Sequence, residues 1–112
     1  MARVYLSHPY EGKPENLERA LRWMRWLADH RPGDTIVASW ILWAQLGLYA
    51  GKEDEAMAAC LAEIRTCEVF ALAGIPHGSP LTTGTTTELA YATAWQIECA
   101  FFLAAEPPSD NT

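Results

Sequence analysis

Apolar residues in this chain fall into two patterns: short continuous runs, and longer segments where they recur every three or four positions. Residues 3–7 form the first run, apolar and partly β-branched, and His8-Pro9-Tyr10-Glu11-Gly12 breaks it. That predicts a buried strand followed by a loop. Pro14 then suits a first helical turn, with Glu15 and Glu18 complementing the positive end of the helix dipole. Leu17, Ala20, Leu21, Met24, Leu27 and Ala28 recur at helical spacing and predict its buried face. Glu15 with Arg19, and Glu18 with Arg22, stand four apart with the acid first, the better orientation for pairing. His30-Arg31-Pro32-Gly33 ends the helix.

Residues 34–38 predict a second strand centred on Ile36-Val37. Ser39 is placed to cap a short helical or irregular segment carrying Trp40, Trp43, Leu46 and Leu48, which Gly51 interrupts. A helix is expected over residues 53–66, with Met57, Cys60, Leu61, Ile64 and Cys67 on one stripe. Residues 69–73 are a continuous apolar run, the clearest strand of the chain, and residues 74–84 form a loop rich in Gly, Pro, Ser and Thr. A helix over 85–93 and a last strand over 97–103 follow, and the polar tail 106–112, with two prolines, is expected to be disordered.

Strands alternating with helices predict one domain over residues 1–105. Its fold class is α/β: a three-layer, flavodoxin-like or Rossmann-like parallel sheet of four to five strands with helices on both faces. In such sheets ligands gather beyond the carboxyl ends of the strands. Three loops meet that description: residues 8–12, 39–43 and 74–84.

Composition narrows the choice of partner. At 112 residues the chain is long enough for one core, and its net charge of −6 opposes binding to a nucleic-acid polymer. Cys60, Cys67 and Cys99 are odd in number, lack CxxC spacing and have apolar neighbours, so they are expected as core residues rather than disulfides or zinc ligands. No signal peptide or bilayer-length apolar run is visible, and a soluble, cytoplasmic protein is expected. Five tryptophans in a chain this short must bury much area or present it to another subunit.

The segment Thr82-Thr83-Gly84-Thr85-Thr86-Thr87-Glu88-Leu89-Ala90 leaves a strand through a Gly-containing loop and enters a helix. It places Glu88 in the first helical turn at the ligand end of the sheet, where the positive helix terminus favours an ionised carboxylate suited to nucleophilic attack. The same spacing, Thr85-x-x-Glu88, also matches an ordinary capping box, and the pattern alone leaves both readings open.

Gly-Thr-x-x-Glu-Leu after a strand and loop resembles the nucleophile motif of the nucleoside 2-deoxyribosyltransferase family, which includes deoxynucleoside 5′-phosphate N-hydrolases. The opening Val4-Tyr5-Leu6-Ser7-His8-Pro9-Tyr10 is similar to that family's first strand and substrate loop, and Cys67-Glu68-Val69-Phe70 to its helix-to-strand approach. The resemblance implies that Glu88 is the nucleophile and that Gly84 and Thr85 let the backbone approach a sugar. Ser7, His8 and Tyr10 would contact substrate, and the hydroxyl of Thr82 leans slightly toward a phosphorylated one. The hydrolases usually carry a basic residue in the first loop. Here that neighbourhood holds Glu11, which leaves two alternatives: Lys13 serves instead, or the substrate carries no 5′-phosphate. Asp54 and Glu55 begin a helix near the right place for the acid that protonates the leaving base, with Asp54 the first choice, although a solvated helix start is the commoner explanation for both. Trp40 and Trp43 suit either base stacking or core packing, and Trp26, on a stripe with Arg19, Arg22 and His30, suits a subunit interface if exposed.

Glycosyl transfer of this kind would take a small nucleoside or nucleotide and would need neither metal nor organic cofactor. The resemblance further implies a homodimer or higher homo-oligomer. The competing expectations are a nucleotide-binding module of the same fold without chemistry, and an interaction protein that uses its tryptophan surface.

Overall fold

A computed structural model describes residues 1–109. Four parallel strands, β1 (Arg3–Ser7), β2 (Thr35–Val37), β3 (Val69–Ala73) and β4 (Glu98–Phe102), form one sheet in the order β2-β1-β3-β4. Four helices connect them: α1 (Pro14–His30), α2 (Ser39–Gln45), α3 (Glu53–Ile64) and α4 (Thr83–Ala94). This is the three-layer α/β arrangement expected from the alternation of runs. β1 and β3 sit in the centre, and every residue of β3 is buried, as a strand covered on both faces requires.

Alternate residues of β1 serve the two faces. Tyr5 and Ser7 reach α4, while on the other side Trp23 and Trp26 of α1 pack their rings on Phe102 at 5.8 and 5.6 Å. The buried face of α1 is Asn16, Ala20, Trp23 and Leu27. It is rotated from the predicted stripe, since Leu21 and Ala28 are exposed and Trp23 takes the central place. A tryptophan buries more area than a leucine, so its position decides which way the helix turns.

Trp26 is correspondingly not a bare interface residue. It is half-buried, 5.7 Å from Trp23 and stacked at 4.1 Å on His30. The predicted pairs of Arg19 and Arg22 with Glu15 and Glu18 give way to a tertiary pair. Glu106 accepts from Arg19 Nε at 3.2 Å and from Arg22 Nε at 2.7 Å, while Trp23 Nε1 donates to the Ala105 carbonyl at 3.1 Å. The segment at Glu106 is therefore tied to α1. The rest of the tail expected at 106–112 includes residues 110–112, which lie outside the described residues. The three cysteines are free thiols, two buried and one half-buried. Among the described residues no helix is long and apolar enough to cross a membrane.

Candidate active site

Two helix starts and one strand end build the site. β1 ends at Ser7 and delivers His8 and Tyr10 beyond the edge of the sheet. α4 begins nearby, and its cap differs from the predicted one. Thr82 has extended backbone, and its hydroxyl accepts from the Thr85 amide at 3.2 Å. The helix therefore starts two residues earlier than expected, Gly84 lies inside it, and Glu88 falls in its second turn. The capping box predicted from Thr85 and Glu88 does not form, because Glu88 turns toward the sheet.

Glu88 is 7% exposed, and both its oxygens are held by the first strand. The Tyr5 hydroxyl donates to Oε2 at 2.7 Å, and the Ser7 hydroxyl donates to Oε1 at 2.6 Å. Burial pushes the Glu88 carboxyl above its ordinary range, and the hydrogen bonds from Ser7 and Tyr5 pull it partly back. The sequence-based expectation that the helix terminus sets its ionisation is corrected by this. In the second turn the dipole has faded, and desolvation outweighs it. Burial and the facing Glu88 charge raise the Tyr5 hydroxyl well above its usual value, so it stays a donor.

A cleft of about 630 Å³ opens beside Glu88, within the size range of small-molecule sites. One wall is aromatic. Tyr10 lies 6.1 Å from Trp40 and 5.4 Å from Tyr49, with ring planes tilted by 40° and 54°. Trp40 is fixed by its indole N–H, which donates to the Leu6 carbonyl at 3.0 Å. The opposite wall is the start of α4, where Thr82, Thr83, Gly84 and Thr85 line the cleft. A side chain at Gly84 would meet only Met57 Cε, at 3.8 Å, so the missing Cβ leaves open space here rather than permitting a turn. Cys60 faces the cleft from α3, its thiol pushed up to about 11 by burial and then by the Glu88 charge.

His8 also lines the cleft and is 5% exposed. Its Nδ1 lies 2.7 Å from the Pro9 carbonyl, which can only accept, so Nδ1 carries the proton. Nε2 is buried with no hydrogen-bond partner among the described residues, and burial lowers the imidazole pKa, which keeps the ring neutral. It packs against Gly74, whose φ is +83° and where an added Cβ would stand 2.1 Å from Nε2.

The structure thus gathers Glu88, His8, Tyr10, Trp40, Thr82, Gly84 and Thr85 at one cleft. Ser7 is fully buried and absent from the cleft wall, so it acts through its bond to Glu88 rather than by touching a ligand. Thr82 and Thr85 spend their hydroxyls on one another, 2.8 Å apart, which removes the reason to read Thr82 as a phosphate contact. Asp54 is exposed and does not line the cleft, whereas Glu53 does. Neighbouring residues on a helix point about 100° apart, and here the cleft takes the first of the two. Tyr5, Tyr49, Cys60 and Glu53 were not singled out from the sequence. Tyr5 and Cys60 read there as core positions, and nothing local distinguished Tyr49.

No protein-family model matches this sequence, and no curated protein matches it either. A solved structure described as 2-desoxiribosyltransferase from Leishmania mexicana is similar, with a TM-score of 0.60, 19% sequence identity and coverage of 92% of this chain. The likeness is one of fold. This chain spans 65% of the length of that protein.

Proposed function

We propose that this protein cleaves or transfers the N-glycosidic bond of a (deoxy)nucleoside or nucleoside 5′-monophosphate through a glycosyl ester on Glu88. The observation that carries the reading is the Glu88 carboxylate, buried, held at both oxygens by Tyr5 and Ser7, and bordering a cleft of about 630 Å³ beyond the strand ends. One oxygen attacks the anomeric carbon as the bond to the base breaks, through a transition state with oxocarbenium character. Water then releases the sugar, or a second base takes it; both routes use the same carboxylate. The fold shared with a 2-desoxiribosyltransferase supports the same class of chemistry.

Base release from the purified protein, with nucleosides and monophosphates in the presence and absence of a second base, tests this. Turnover that disappears in a folded Glu88→Gln variant supports the covalent route. Turnover that persists in the variant excludes Glu88 as nucleophile. A non-catalytic binding module is the second reading, favoured by one observation: Asp54, the expected leaving-group acid, is exposed and off the cleft wall. Tight binding of a nucleotide without turnover would establish it. The same reading includes a single domain over residues 1–105 and a cytoplasmic homo-oligomer, for which exposed Leu42, Leu46 and Leu48 offer an apolar contact surface.

A further inference from the structure

The charged residues on the cleft wall are Glu11, Glu53 and Glu88, and no Lys or Arg stands among the described residues that line it. Lys13, outside it, is turned to Glu11, with its Nζ 4.0 Å from a Glu11 oxygen and both side chains more than half exposed. His8 adds no positive charge, because burial keeps it neutral. The same cleft presents three tilted aromatic rings, Tyr10, Trp40 and Tyr49. Aromatic faces joined by carboxylates are the chemistry that recognises an organic cation. Among the charged side chains that line this wall, a phosphate dianion would meet only carboxylates.

Glycosidic cleavage poses a second question. A neutral base departs as an anion unless an acid protonates it, and the acid expected for that task, Asp54, is not on the cleft wall. A base that is already cationic needs no such acid.

We propose that the substrate is an unphosphorylated nucleoside whose base is permanently cationic, an N-alkylpyridinium or N-alkylated purine nucleoside, held by Tyr10, Trp40, Tyr49, Glu11 and Glu53. This rests on the glycosyl-transfer reading of Glu88 given above and names its substrate class. In the first step a Glu88 oxygen bonds to the anomeric carbon, and the carbon–nitrogen bond breaks. Its electron pair returns to the ring nitrogen, so the base leaves neutral and no proton moves. In the second step water attacks the anomeric carbon, the ester bond breaks, Glu88 recovers its negative charge, and the water's proton passes to solvent.

The test pairs 7-methylguanosine with guanosine, in mildly acidic buffer where N1 keeps its proton and the methylated base its positive charge, and nicotinamide riboside with its 5′-monophosphate. Alkylation alone speeds departure of a base, so binding to Glu88→Gln is measured by calorimetry beside cleavage by the wild type. The expected result is binding of 7-methylguanosine tighter than guanosine by about tenfold or more, the effect of one carboxylate at close range in a partly shielded cleft. Nicotinamide riboside is expected to be cleaved in preference to its monophosphate. In Glu53→Gln, whose exposed site tolerates the change, the cationic-to-neutral binding ratio falls toward unity. Equal binding of the methylated and unmethylated nucleosides, or preference for the monophosphate, overturns the proposal and leaves the glycosyl-transfer reading standing. Absence of cleavage for every nucleoside overturns both.

Discussion

Replacing Tyr5 by Phe removes one hydroxyl from the fully buried contact with Glu88 and leaves the ring, stacked 5.9 Å from Phe70, in place. A hydrogen bond to a charged group contributes roughly 1.5–3 kcal/mol, and one between neutral groups about 1 kcal/mol. The loss therefore depends on whether Glu88 is ionised. Because burial raises the folded-state Glu88 carboxyl above its unfolded value, the unfolded chain gives up this proton first as pH rises. The stability tied to this group is then complete below the ordinary carboxylate range and declines as pH rises through the folded value. Tyr5→Phe raises that value further, since a donor to the charged form is gone, so the decline deepens. Urea unfolding of both proteins near pH 4 and near pH 8 is expected to give a difference of about 1 kcal/mol at the lower pH and about 2–3 kcal/mol at the higher. The acid limb of any base-release activity should move to higher pH in the same variant. An equal difference at both pH values would refute the reasoning, for it would mean that the Tyr5 hydroxyl does not stabilise the Glu88 charge.

Two further outcomes follow from the packing. Gly74→Ala places a methyl group 2.1 Å from His8 Nε2 at a positive φ, and is expected to cost more than about 1 kcal/mol and to free the ring. Imidazole NMR should then show the His8 pKa rising toward its ordinary value as burial is lost. Trp23→Ala removes the largest side chain buried between α1 and the sheet, with an expected loss of about 3–5 kcal/mol in urea unfolding.

Much of the scaffold was legible in local pattern. The run at 69–73 matches the central strand residue for residue, and the first strand and the start of the first helix fall where the apolar runs and Pro14 place them. Glu88 was also legible as a candidate, because a strand, a glycine-containing loop and a helix precede it in an order with few geometric outcomes. The local partners were less legible. Glu106 takes Arg19 and Arg22 of α1 from more than eighty positions away, and no spacing rule along a helix signals such a contact. The cap of α4 was misplaced for a related reason: five threonines compete for it, and only the folded loop selects Thr82.

By itself the sequence determined the alternation of strands and helices, hence a parallel layered sheet, and the neighbourhood in which a carboxylate meets the strand ends. These depend on periodicity and on turn residues, which act over a few positions. Only the tertiary structure decided the state of that carboxylate and the company it keeps. Tyr5 and Ser7 approach Glu88 from the other end of the chain, and desolvation exists only once the layers close. Whether Glu53 or Asp54 faces the cleft was likewise left to packing, because adjacent helical residues differ only in direction, and direction is fixed by what the helix lies against.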